Sequence, residues 1–414
     1  MLNKILFPFS FFLLIASLIL PTQASAVMLG IDVLEELNFS TIKGKRVGLL
    51  THPAGVNNKG VSTIDVLRRA KNVRLVALYG PEHGIYGDEK ANIPIENKID
   101  KRTGLPVYSL YGKYRKPTPE MLSKIDVMIV DLQDVGCRSY TYVSCMIRTM
   151  EACFENGKDV VVLDRPNPLG GLKIDGPMHD MKYKSYVGMI KTPYVHGLTI
   201  GEIARIAASE PTWLELSKKK SGKLYVVPMK GWKRNMLWTD TKLKWVPTSP
   251  AIPNFEAVVG YAMTGLGCQI GGFQHGYGTD YPFRFLTYKD KTPAQIIAAL
   301  NAKKIPGLTF KPLTIKTKNG DKQGVYVNVS DYKTLNPTEL SFHLMQIACV
   351  FSGKNVFAES KNSDADLFNK HAGSEAWWKE ISTKGRNANV PLFVNNFKAS
   401  CEKFRAWREK YLIY

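Results

Sequence analysis

A glutamate and a histidine stand side by side in LVALYGPEHGIYGDE, residues 75–89. The apolar run Leu75–Leu78 stops at Tyr79-Gly80-Pro81, so Glu82 and His83 fall at the end of what reads as a buried strand. A carboxyl group in a partly dry cleft holds its proton to higher pH and can act as a general acid. The adjacent imidazole of His83 can orient that acid or contact a substrate. Three more apolar runs end in the same way. RVGLL leads into Thr51-His52, VMIV leads into Asp131-Leu132-Gln133-Asp134, and VVVL leads into Asp164-Arg165-Pro166-Asn167. One polar strand end means little, whereas four on one rim imply a site.

The elements that must carry these residues alternate. Short continuous apolar strands over 46–50, 73–80, 105–112, 126–136 and 160–171 are separated by segments of helical spacing at 61–70 and 118–125 and from Thr141 to a stop at Gly157. A further helix starts at Thr199 with a capping-box pattern. This order predicts an α/β fold, a parallel sheet covered on both faces, with ligands outside the carboxyl ends of its strands. No G-x-G-x-x-G or P-loop follows the first strand, so no nucleotide or other cofactor is expected. Beyond residue 245 the texture shifts to Pro and Gly, with a glycine-dense stretch CQIGGFQHGYGTD at 268–280. Helical and strand-like segments follow it. The expected division is a sheet domain over 27–245 and a smaller α+β domain over 246–414, whose glycine-rich loop closes over the rim.

Residues 1–26 read as a cleavable signal peptide: Lys4, an apolar core ILFPFSFFLLIASLIL, and Ala-Ser-Ala at 24–26. A periplasmic or secreted protein with no stable membrane anchor after cleavage is expected. Cys145 and Cys153 lie eight residues apart on one helix, about 12 Å along its axis, too far for a disulfide. The six cysteines therefore read as scattered thiols. The formal net charge is +20, which favours polyanionic partners. The basic residues form no stripe interleaved with aromatics, so nucleic acid is not expected. No metal site is expected either. A metallohydrolase built on His52, Glu82, His83, Asp131 and Asp134 would lack an H-E-x-x-H or Cys/His pattern.

YGPEHGIYGD, DLQDVGCRSYTY, DRPNPLGG, GPMHD, SYVG, HGLTIGEIA and FNKHAGSE follow one another in the order seen in one bacterial family. With these motifs the chain resembles the NamZ-type exo-β-N-acetylmuramidases over nearly all its length after the leader. The resemblance implies a Rossmann-like sheet domain with a second, smaller domain and a site in the cleft between them. It also implies release of N-acetylmuramic acid from the non-reducing ends of peptidoglycan fragments, with Glu82 as the catalytic residue. For glycoside cleavage, Glu82 would be the acid, with His83 beside it, and Asp131 or Asp134 would activate water. Alternatively, the sugar's own 2-acetamido oxygen attacks. Arg138, Arg165 and His196 are candidates for the lactyl carboxylate. His52, Gln133, Tyr142, Asp164 and Asn167 complete the expected contacts with peptidoglycan-derived saccharides. The segment 268–280 departs from the family pattern: Gln269 stands where an acid is usual, Gly272 where Asn is, and Tyr277 where Arg is. A competing expectation is a periplasmic receptor that binds muropeptides without cleaving them.

Overall fold

The computed structural model describes residues 26–88, 97–318 and 320–414. The expected signal peptide lies outside the described residues except for Ala26. In chain order the first unit runs α1 (Gly30–Glu36), β1 (Arg46–Thr51), α2 (Thr63–Arg69), β2 (Arg74–Gly80), β3 (Lys98–Ile99) and β4 (Pro106–Ser109). It continues with α3 (Pro119–Leu122), β5 (Val127–Asp131), α4 (Thr141–Glu155), β6 (Asp159–Leu163), α5 (Ile200–Ser209) and β7 (Leu224–Val227). These strands form one sheet in the order β3-β4-β2-β1-β5-β6-β7, parallel throughout except for the β3–β4 pair.

Continuous apolar strands need cover on both faces, and alternate side chains go to opposite sides. Val47 and Leu49 of β1, with Val127 and Ile129 of β5, join an apolar cluster under α1 and α2. Leu50, Met128 and Val130 join a larger cluster on the other face with α4 and α5. That larger cluster runs on without a break into the rest of the chain.

The remainder comprises α6 (Phe255–Thr264), β8 (Phe285–Leu286), α7 (Pro293–Asn301), β9 (Leu308–Thr317), β10 (Gly320–Val329) and α8 (Glu339–Phe351). Then come α9 (Asn362–Ala372), α10 (Ala376–Lys384) and α11 (Val390–Arg408). β8, β10 and β9 form an antiparallel three-stranded sheet, so the α/β architecture with a smaller α+β unit is what the chain adopts. The carboxyl terminus returns to the first unit. Arg408 donates to the carbonyls of Gly171, His196 and Gly197, and the Tyr414 hydroxyl donates to Asp164 at 2.7 Å. All six cysteines are free thiols. Among the described residues no helix is long and apolar enough to cross a membrane.

Candidate active site

Strand order turns at β1: the chain steps outward through β2 and β4, then returns to β5 on the other side. Parallel sheets of this topology open a crevice at the carboxyl ends of the strands flanking such a point. Thr51 and Asp131 pair across it in register. The four polar strand ends do share this rim, on the adjacent strands β2, β1, β5 and β6. The β2 end opens on the larger of two cavities here, while Gln133 and Arg165, from the β5 and β6 ends, line a much smaller one of about 50 Å³. A cavity of about 400 Å³ is lined by Glu82 and His83, by Tyr111 and Arg115, and by Ser139–Tyr142. Tyr186, Val187, Ser249, Tyr261, Leu367 and His371 complete it. Its size lies within the range usual for small-ligand sites, about 300–1,000 Å³.

A tight turn delivers Glu82. His83 and Gly84 both take left-handed backbone angles, φ 71° and 73°, and the Gly84 N–H closes the turn on the Pro81 carbonyl at 3.0 Å. Glycine adopts that conformation freely, but histidine does so at a cost, so the fold holds His83 there against its preference. The Glu82 carboxylate accepts from Thr141 Oγ1 at 3.3 Å and from the Tyr111 hydroxyl. Burial, then the neighbouring Glu82, pushes the Tyr111 phenol up to about 12, so it remains a proton donor. Thr141 is the first residue of the 15-residue α4, whose amino end favours a nearby anion. The Tyr142 hydroxyl donates to the Thr248 carbonyl at 2.5 Å and lies 3.4 Å from the Glu82 carbonyl, so α4, the β2 turn and the 248 segment are tied together.

Apart from His83 and Tyr142, the other expected site residues do not line this cavity and bond within the fold instead. Asp131 is fully buried; it accepts from Arg165 Nε at 2.6 Å, Arg165 Nη2 at 2.9 Å and Thr63 Oγ1 at 2.5 Å. Arg165 spends its remaining reach on the Val56 carbonyl. Neither lines the cavity, so the expectations that Asp131 activates water and Arg165 grips a carboxylate are not met by their positions. A strand-end Asp and an Arg one strand over neutralise each other when no solvent reaches them.

Arg138 is likewise spent. Its guanidinium donates to the carbonyls of Pro177, Thr192, His371 and Ala372. Two of these are the last carbonyls of α9, where a cation is favoured, so Arg138 fastens α9 and its His371 over the rim. Asp134 accepts from the Gly136 N–H at 2.8 Å and lies 3.3 Å from His196 Nε2 in a buried pair. His196 Nδ1 accepts from the Leu198 N–H. Gln133 donates to the Asp134 and Pro166 carbonyls, and Asn167 is bound within its own loop and to the Leu198 carbonyl.

Asp164 accepts from the Gly201 N–H and Thr199 Oγ1 at the start of α5 and from Tyr414; burial, then Glu202, pushes it up to about 7. His52 accepts from the Gln133 N–H at 2.9 Å, and its ring lies edge-on to Tyr142 with centroids 4.8 Å apart. Burial, then Arg165, holds its pKa well below the ordinary value, so it is a neutral support behind Tyr142. Of the twelve residues singled out in the sequence, Glu82, His83 and Tyr142 line the cavity and the other nine do not. The five residues of the metal alternative are correspondingly split. Among the described residues no three His, Cys, Asp or Glu side chains gather to hold a metal.

The glycine-rich loop 268–280 is also placed differently from expectation. It packs on the small sheet through paired hydrogen bonds between Gln274 and Thr287 and lines a separate cavity of about 330 Å³. The smaller unit reaches the Glu82 cavity instead through Tyr261 of α6 and Leu367 and His371 of α9. Sequence reasoning did not single out Tyr111, Arg115, Ser139, Tyr140, Thr141, Tyr186 and Ser249 as contacts. Several sit inside the motifs quoted above, such as RSYTY and SYVG.

Models of the exo-beta-N-acetylmuramidase NamZ match this chain in two parts, the N-terminal one over residues 47–256 and the C-terminal one over residues 259–414. The chain belongs to the NamZ family. It is 38% identical over 394 residues to the peptidoglycan beta-N-acetylmuramidase NamZ of Bacillus subtilis (strain 168), covering 94% of this chain and 91% of that protein. A crystal structure of a DUF1343 family protein from Bacteroides fragilis superposes with a TM-score of 0.84 at 41% identity, covering 94% of this chain and 99% of the other. A second such protein from the same organism gives a TM-score of 0.73 at 28% identity, with the same coverage.

Proposed function

We propose that this chain is an exported exo-glycosidase that releases N-acetylmuramic acid from the non-reducing ends of peptidoglycan fragments, with Glu82 as general acid. The observation that carries this reading is the placement of Glu82: a carboxylate held by Tyr111 and Thr141 at the mouth of α4, in a cavity rich in tyrosine. Aromatic faces suit sugar rings, and tyrosine hydroxyls suit their polar edges. Membership of the NamZ family supports the substrate class.

Two-carboxylate glycosidases hold their acids about 5–9.5 Å apart across the scissile bond. Among the described lining residues Glu82 is the only Asp or Glu. The reading therefore assigns the second role to the substrate. The 2-acetamido oxygen attacks the anomeric carbon while the bond to the leaving oxygen breaks, and that oxygen takes the Glu82 proton. Water then opens the cyclic intermediate, passing a proton back to Glu82. Incubating the purified protein with a muramic-acid-terminated disaccharide tests the reaction. Free N-acetylmuramic acid and the shortened aglycone are the expected products. Tight binding without release would assign a receptor instead.

A further inference from the structure

Muramic acid differs from glucosamine by a lactyl ether, and that ether carries a carboxylate. The cations considered first for it are occupied: Arg138 by four carbonyls and Arg165 by Asp131. Arg115 is the only Lys or Arg among the described lining residues. Its guanidinium lies 4.4 Å from the Tyr186 ring centroid and 5.6 Å from that of Tyr111. Among the described residues it forms no ion pair.

We propose that Arg115 is the residue that reads the substrate's lactyl carboxylate, and so sets the preference for muramic acid over glucosamine. The inference rests on the reading of Glu82 above. Stacking on an aromatic face fixes the plane of a guanidinium and leaves its edge N–H groups free for a carboxylate, a geometry that lysine's point charge does not reproduce. Tyr111 links the two functions. Its ring faces Arg115 and its hydroxyl holds Glu82, so an anion bound at Arg115 sits beside the acid that must reach the glycosidic oxygen. The amino end of α4 contributes in the same direction. Arg115 is a specificity residue here; it takes no part in proton transfer.

The test compares nitrophenyl N-acetylmuraminide with its lactyl methyl ester, which keeps the shape and lacks the charge. In Arg115→Met, kcat/KM on the acid is expected to fall by about 10- to 100-fold, chiefly through KM, with a smaller loss on the ester. The acid-over-ester ratio therefore drops at least about tenfold, and Arg115→Lys lies between. Equal losses on acid and ester, or no loss on the acid, would overturn the assignment. If wild type cleaves neither compound, the glycosidase reading fails. Calorimetric binding of N-acetylmuramic acid against N-acetylglucosamine then decides the role of Arg115 separately. A preference for the acid that vanishes in Arg115→Met supports it, and an unchanged preference refutes it.

Discussion

Arg165→Met leaves the Asp131 carboxylate fully buried, with Thr63 as its remaining partner among the three hydrogen bonds it now accepts. Removing one member of a buried pair strands the other charge and costs about 3–5 kcal/mol. Unfolding entropy near 2.1 cal/mol/K per residue gives roughly 0.9 kcal/mol per kelvin for a chain of 414 residues, so the melting temperature should fall by about 3–6 °C. Urea denaturation followed by tryptophan fluorescence measures the free energy, and a double-mutant cycle isolates the pair. Asp131→Leu combined with Arg165→Met should be less damaging than the two losses summed, by about 2 kcal/mol or more, because no charge is then left unpaired. At a temperature where the variant is folded, its kcat/KM should stay close to wild type, since neither residue lines the cavity. The reasoning is refuted if Arg165→Met keeps wild-type stability and instead loses its preference for muraminides over glucosaminides. Arg165 would then be a substrate ligand that the fold does not need.

Tyr111→Phe removes a donor to Glu82 while keeping the ring against Arg115, so kcat should drop on the order of 10- to 100-fold with KM nearly constant on a muramic-acid-terminated disaccharide, whose leaving oxygen needs the Glu82 proton; steady-state kinetics on that disaccharide would show it, and a pure KM effect would contradict it. His179 is buried beside Arg138, and burial, then that charge, lowers its pKa to about 4. The unfolded imidazole titrates near 6.5, so the unfolded chain gains a proton first as pH falls. The folded state therefore loses stability from about pH 6.5 downward, by about 2 kcal/mol at pH 5, until His179 itself protonates near 4. Denaturation of His179→Gln at pH 7 and pH 5 should show a correspondingly shallower loss than wild type; parallel slopes would exclude the mechanism.

Five of the seven strands of the large sheet, β1, β2, β4, β5 and β6, could be read because each is a short apolar run, whereas β7 and the two-residue β3 were not; the α5 start could be read because Thr199 and Glu202 form the reciprocal cap that their spacing suggests. Elements set by tertiary contact could not. In α1, Gly30 is required because a Cβ there would meet the Asp164 nitrogen at 2.4 Å, a constraint invisible in local sequence. α6 lies in a stretch rich in prolines and glycines for which no helix was read, yet Asn254 caps it and apolar burial carries it. The site follows the same division. Glu82 was legible because a strand, a Pro and a Gly frame it. The polar ends of β1, β5 and β6 were equally legible as a rim, but a polar strand end can face a ligand or satisfy a neighbour, and sequence does not separate the two. Asp131 found Arg165, and Asp134 found His196. Arg115 gave no signal because it sits in a loop without periodicity, and its role depends on Tyr186, far along the chain.

The central claim is that Glu82 supplies the proton to the leaving oxygen, and leaving-group dependence in Glu82→Gln tests it most directly. A general acid contributes about 10²- to 10⁴-fold to rate. The amide keeps the size of the side chain and some of its hydrogen bonding but cannot serve as that acid. On a muramic-acid-terminated disaccharide, kcat should fall at least about 10²-fold with binding retained. A nitrophenolate leaves with little need of a proton, so the same variant should lose far less on the nitrophenyl muraminide. Equal losses on both would assign Glu82 to steering the acetamido group or activating water. Wild-type rates on both would contradict the account and leave Glu82 as part of a structural turn.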